Sequence, residues 1–276
     1  MNRFNLNDQK RPYRSITILI FVIVGCIFAD LFIPYVPSYM NAAEISQAPS
    51  SNHLFGTDAM GRDIFSMIWY GGRLSLFIGL LATLISTALA ILYGCASGLA
   101  GEKLDDCLMR FTEILMSVPQ ILLVIFIQAM FGDATAVSIA IVIGLTSWMA
   151  VAKMVRSEVK QIRNADYVLA ARTMHGGFFY ILWNHLMPNF MSAILFMIIT
   201  NLGGTIALEA TLSYLGVGLP IAAVSWGSLM ALSQKSMLSG SWWTLLIPGI
   251  FLVVTLICIT QVGEYTRTRN RREQLL

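Results

Sequence analysis

Long apolar runs separated by short polar stretches set the rhythm of this chain. The runs are continuous rather than alternating, so they predict helices and not the strands of a barrel. A helix of about 20 residues crosses the hydrocarbon layer. Six runs reach that scale, at roughly 16–34, 74–100, 108–131, 135–155, 190–215 and 242–264. The first, Ile16–Pro34, is broken only by Asp30. Basic residues precede it, as in a signal peptide, but its apolar stretch is too long for a typical core and no convincing A-x-A site closes it. It is therefore expected to remain as a first transmembrane helix.

Composition sharpens this pattern. Hydrophobic residues make up 57% and charged ones 12%, and mean hydropathy is +0.71. Soluble domains run near 45–50% apolar and about 25% charged. A soluble enzyme, a disordered chain and a nucleic-acid binder are all excluded. The expected fold is an all-α polytopic membrane protein, because only helices and closed barrels satisfy their backbone in lipid. Net charge is only +3, so the placement of charge carries more than its sum. With the N-terminus in the cytoplasm, 15 of the 18 basic residues fall on the cytoplasmic side. Only Arg62, Arg73 and Lys235 are left outside. The positive-inside rule thus places both termini in the cytoplasm.

The expected layout is a cytoplasmic tail at 1–15, a first transmembrane helix at 16–36 and an outward-facing segment at 37–73. A core follows at 74–265 with a cytoplasmic loop at 156–189, and a basic tail closes the chain at 266–276. Trp69 with Tyr70, and Trp242 with Trp243, stand where interface anchors belong.

Polar residues within the spans are the candidate sites, since ionisable groups in a membrane are costly. Glu209 has two readings, a polar anchor lining the pathway or a hydrogen-bond link to a neighbouring helix. Glu113 and Arg110 lie three apart and can pair on one face. Pro119 and Pro248 interrupt two spans, as hinges or as static bends. Gly94 and Gly98 form a small-xxx-small face for close helix contact. In the outward segment, Asp58, Arg62 and Asp63 surround turns at Gly56 and Gly61. They are candidates either for docking a binding protein or for bracing the loop. Cys26, Cys95 and Cys258 lie in apolar runs and Cys107 stands alone, so no disulfide or metal framework is expected. His53 falls across the membrane from His175 and His185, which argues against a metal cluster.

The cytoplasmic loop is the richest segment. Asn164 suits a helix cap and Asp166 the first turn; the stretch to Met174 is helix-forming, and Gly176 and Gly177 stop it. A second helical stretch follows and is expected to end before Pro188. Small Ala170 and Ala171 allow another surface to approach closely. Docking a protein and resting on lipid headgroups are both open on these grounds.

The same residues resemble a known motif. Leu169-Ala170-Ala171, a glycine turn and then Leu186-Met187-Pro188 look like the coupling loop of ABC importer permeases. Ala170, Ala171 and Pro188 match that motif. Leu169 stands where the family has Glu, His175 where it has Gly, and His185 and Met187 where it has Ile and Leu. Three further stretches resemble the peptide and nickel permeases of that family. They are His53 to Asp58 with Gly61 to Ser66 and Gly72 to Leu76; Glu209 to Gly218 with Pro220, Trp226 and Gly227; and Trp243 through Pro248-Gly249 to Gly263-Glu264. Thr260 and Glu264 stand at usual Asn and Asp positions.

The resemblance covers 53–265 and implies the second, C-type, permease of a dipeptide, oligopeptide or nickel importer. Its fold would be that of a type I ABC importer permease with six transmembrane helices. The implied partners are a homologous permease, two ATP-binding subunits and an extracytoplasmic binding protein, in a cell membrane. In such systems Asp166, Leu169, Ala170, Ala171, His175, Gly176, Gly177 and Pro188 would form the loop that docks on the ATPase.

No cofactor, metal or catalysis is expected of this chain. It holds no G-x-x-x-x-G-K-[ST] and no H-E-x-x-H. Ala223 to Gly227 only approaches the nucleophile elbow, in the wrong context. The rival reading is an ion-coupled secondary transporter. That would need a charge relay and usually repeated halves; only Glu113 and Glu209 are candidates for a relay.

Overall fold

A computed structural model describes residues 12–132, 134–174, 177–220, 223–238 and 240–273. Among them the regular elements are helical, and the one β contact is an isolated bridge between Thr57 and Asp63. In chain order the helices are α1 (Tyr13–Ile27), α2 (Ile64–Leu99), α3 (Glu102–Ser117), α4 (Gln120–Phe131), α5 (Ala136–Thr146) and α6 (Met149–Ile162). They continue with α7 (Asp166–Thr173), α8 (Phe178–Ile181), a π turn (Leu182–Leu186), α9 (Met187–Tyr214), α10 (Trp226–Leu238) and α11 (Trp243–Glu273).

The six apolar runs take three forms. Ile64–Leu99, Phe178–Tyr214 and Trp243–Arg269 are each long and apolar enough to cross a membrane unbroken. The runs at 108–131 and 135–155 are bent pairs, α3 with α4 at 90° and α5 with α6 at 45°. Counting each pair as one span gives five. The first run yields only the 15-residue α1, followed by a 3-10 turn at Ala29–Leu31. Its length of about 22 Å falls short of a ~30 Å hydrocarbon layer.

The breaks follow from local chemistry. Pro119 caps α4, where its missing N–H does no harm but where α3 cannot continue. The two sides also differ in kind: α3 buries only Asp105, Met109 and Thr112, whereas α4 is apolar nearly all round. Thr135 opens α5 with a reciprocal capping box to Ser138. Pro188 does not end a helix as expected. Phe178 to Tyr214 runs on through it, and the widened π turn just before it relieves the clash of its ring with the preceding turn.

Helix α2 is the central post, packed against α6, α5 and α9. It begins at Ile64, well before the expected span at 74. Asp63 caps it by accepting from the Ser66 N–H at 2.8 Å and the Ser66 hydroxyl at 2.7 Å. Its contact with α6 is closed by glycines. A Cβ on Gly94 would lie 2.7 Å from the Ala152 carbonyl, and one on Gly98 2.7 Å from Val159.

The paired aromatics split. Tyr70 and Trp242 are exposed as anchors should be, but Trp69 and Trp243 are buried. Successive helical side chains point about 100° apart, so only one of each pair faces outward. Trp69 packs edge-on against Phe21, Phe32 and Phe251 at 5.4–5.6 Å. Trp243 donates its indole N–H to the Thr57 carbonyl at 3.2 Å. Arg73 closes the end of α1, donating to the Cys26 and Ile27 carbonyls and pairing with Asp30 at 2.8 Å. Cys26, Cys95 and Cys258 are buried and Cys107 is exposed.

Candidate functional site

Helix α7 carries the loop motif, with Asp166 in its first turn. Its residues divide by face. Val168 and Ala171 are buried against Ile181, Leu182, Leu186 and Phe190. Asp166, Tyr167, Leu169, Ala170 and Met174 are exposed on the other side. Ala170 therefore lies on the accessible face, while Ala171 is 6% exposed and helps to seat the helix. Gly177 caps α8 and is exposed, as is Pro188. His175 and Gly176 lie outside the described residues.

Just before α7, the end of α6 meets the ends of α2 and α3. The Asp105 carboxylate, 2% exposed, is the hub. It accepts from the Ser97 hydroxyl at 2.5 Å, from Arg156 Nε at 2.5 Å and Nη2 at 2.6 Å, and from Lys160 Nζ. The Arg156 fork is bidentate, the strong form of such a pair. Arg163 adds hydrogen bonds to the Gly98 carbonyl at 3.1 Å and the Ala100 carbonyl at 3.4 Å, at the end of α2. On the same side Glu113 faces Lys153 at 3.5 Å, rather than the expected Arg110. Arg110, Glu113, Lys153 and Arg156 share the lining of one open cleft.

A second polar knot lies deep among the long helices. Glu209 has no exposed surface. It accepts from the hydroxyls of Ser75 on α2, Ser213 on α9 and Ser225 before α10, each at 2.9 Å. Ser75 in turn accepts from the Trp226 N–H at 3.2 Å. Ser225 and Ser228 exchange hydrogen bonds at 2.8 and 3.1 Å to cap α10. The Trp226 indole donates to the Ile68 carbonyl at 2.9 Å. Glu209 thus links three helices. Beside it opens a cavity of about 820 Å³, lined by Thr135, Ser213, Tyr214, Gly216, Ser228 and Gln234 among others.

In the segment before α2, Asp58 and Arg62 pair through Nε at 2.8 Å, and both are buried. Asp63 caps α2 and also meets His53 Nδ1 at 3.0 Å. Gly56 and Gly61 hold positive φ, at 76° and 71°. A Cβ on Gly61 would strike the Asn41 carbonyl at 1.9 Å.

Residues 90–272 match the model of the binding-protein-dependent transport system inner membrane components. The chain belongs to this family. Similarity extends beyond the matched region. The dipeptide transport system permease protein DppC of Bacillus subtilis is 34% identical, over 94% of this chain and 81% of its own. The oligopeptide transport system permease protein OppC of the same organism is 35% identical, over 97% and 86%. The oligopeptide permease of Haemophilus influenzae is 34% identical, over 94% and 83%. This inner membrane permease is accordingly a multi-pass protein.

The sequence singled out the cytoplasmic loop, Glu209 and the outer motif, but not Asp105. The signal was the row Arg156, Lys160 and Arg163, one face of a helix end that needs an acid. Its partner lies some fifty residues away in the chain, beyond the reach of local spacing.

Proposed function

We propose that the chain is one of two homologous permease subunits of an ATP-driven importer of peptides. The observation that carries this reading is the similarity over nearly the whole chain to permeases named for dipeptide and oligopeptide transport. The nickel reading finds no support among those names. An ion-coupled mechanism is not favoured either, since the family is named for binding-protein-dependent transport.

In this proposal the chain crosses six times with both termini in the cytoplasm, the short α1 completing the first crossing together with the 3-10 turn at Ala29–Leu31. The charge bias of the loops supports that orientation. Residues 37–73 face outward and meet the binding protein; buried Asp58, Arg62 and Asp63 brace that segment from within rather than touching the partner. Two ATP-binding subunits supply the energy, and this chain needs no cofactor of its own. The exposed face of α7, with Tyr167, Leu169 and Ala170, takes the docked ATPase. The 820 Å³ cavity beside Ser213 and Gln234 falls within the ~300–1,000 Å³ range of small-ligand pockets and is the candidate for the cargo's outer waiting place.

The test is retention of the ATP-binding subunits on the purified permease pair. Ala170→Arg places a bulky charge on the docking face and is expected to lower retention about tenfold. Undiminished retention would overturn the docking reading. Ala171→Arg is the poorer probe, because that side chain points into the loop's own core.

A further inference from the structure

Helix α3 is held to the rest of the molecule mainly by polar contacts at its edges. Of its sixteen residues only Asp105, Met109 and Thr112 are buried. Phe111, Ile114 and Met116 are exposed. Its polar ties, beside the packing of Met109 and Leu115, are the Asp105 hub, a hydrogen bond from the Tyr93 hydroxyl to the Leu108 carbonyl at 2.7 Å, one from Thr112 to Tyr93 at 3.3 Å, and the looser Glu113–Lys153 pair. The hub is the one of these that is buried, bidentate and made to α6.

Helix α6 is different. Its face slots against Gly94 and Gly98 of α2 with no room for a Cβ. Arg156 and Lys160 lie in its last two turns and Arg163 caps its end, and α7 starts at Asp166, three residues after Arg163. A displacement of the α7 loop is delivered along the chain to the stretch that carries the three cations, beside the route through Val168 and Ala171 into the turn before α9. Beyond α3 the chain turns through 90° into α4, an apolar helix that packs on α5.

We propose that Asp105 is a positioning residue, the joint that makes α3 follow the end of α6. A shift of the α7 loop is then carried through Arg156 and Lys160 into α3, and around the bend at Pro119 into α4. This inference rests on the reading that α7 receives the ATPase subunits. Two features suit a joint. The carboxylate is shared by three donors on two other helices, so it constrains position and angle together. Also, the contact is charged and hydrogen-bonded rather than a broad apolar face, so its removal frees α3 without opening the α2–α6 core.

The test uses the complete complex in proteoliposomes, with the second permease, the ATP-binding subunits and the binding protein. Asp105→Asn removes the charge and weakens the charge-assisted bonds. It is expected to leave the ATPase subunits bound and hydrolysis running, while ATP-driven uptake of a labelled peptide falls about tenfold. Asp105→Glu, which restores the carboxylate, recovers most of the uptake. Lys160→Gln, at a half-exposed position that tolerates change, gives a milder loss of about threefold. If Asp105 and Arg156 form one joint, Asp105→Asn with Arg156→Gln loses no more than either alone. Unchanged uptake, a parallel fall in hydrolysis and uptake, or additive losses would each overturn the proposal. Ala170→Arg keeps the two readings apart. If it has no effect, the docking reading itself fails; if it releases the ATPase while Asp105→Asn leaves uptake intact, only the joint fails.

Discussion

Asp105 and Glu209 are both buried carboxyl groups, 2% and 0% exposed, yet they are satisfied in opposite ways. Asp105 gathers two cations and one hydroxyl at a junction of helix ends. Glu209 gathers three serine hydroxyls, and among the described residues no cation bonds to it. The difference follows from surroundings. Near a helix terminus the long stems of Arg156 and Lys160 can reach the hub while remaining partly exposed. Around Glu209, fully enclosed by α2, α9 and the start of α10 although only five residues from the end of α9, a cation would add a second costly charge, whereas serine brings a donor in little volume. One knot is a charged clasp at the helix end that leads into α7; the other is a neutral-partnered weld between long helices.

Substitutions separate these roles, and Glu209→Leu should have the largest effect. It leaves three hydroxyls without their acceptor and removes the shared bridge among α2, α9 and the start of α10, where the Trp226 bonds to Ser75 and Ile68 remain. At about 1 kcal/mol or more for each buried hydroxyl left without its acceptor, the loss is about 3 kcal/mol. Thermal unfolding of the detergent-solubilised permease should show a clear fall in Tm. Glu209→Gln keeps an acceptor and should lose much less; equal losses would remove the distinction between weld and clasp. Gly98→Val comes next. It overpacks the α2–α6 contact beneath the clasp, at a cost of roughly 1–3 kcal/mol, read in the same melt. Ser225→Ala removes one of the three bonds to Glu209 and the cap of α10, for about 1 kcal/mol. Glu113→Gln is the smallest. Its pair with Lys153 is long and exposed, so a change under about 0.5 kcal/mol is expected. A large effect there would make the outer edge of α3, not Asp105, the stronger tie.

Much of the architecture was legible because lipid imposes length. The apolar runs around 74–100, 190–215 and 242–264 all lie within long helices, and the Gly94–Gly98 face marked a real close contact. What escaped was whatever depends on direction or distance. The outward-facing segment was expected to run to 73, although Asp63 caps a helix that starts at Ile64. Proline at 119 announced a break but not a right angle. Helix α10 was not expected, since its sequence mixes serines with apolar residues at no single period. The loop motif marked Ala170 and Ala171 alike, and only packing shows that one faces out and the other in.

The most direct test of the account is ATP-driven uptake of a labelled peptide by proteoliposomes holding the full complex, compared between the unaltered chain and Ala170→Arg. The account predicts uptake that requires ATP and the binding protein, and a loss of about tenfold in the variant. Uptake that persists on an ion gradient without ATP, or that is untouched by Ala170→Arg, would contradict it.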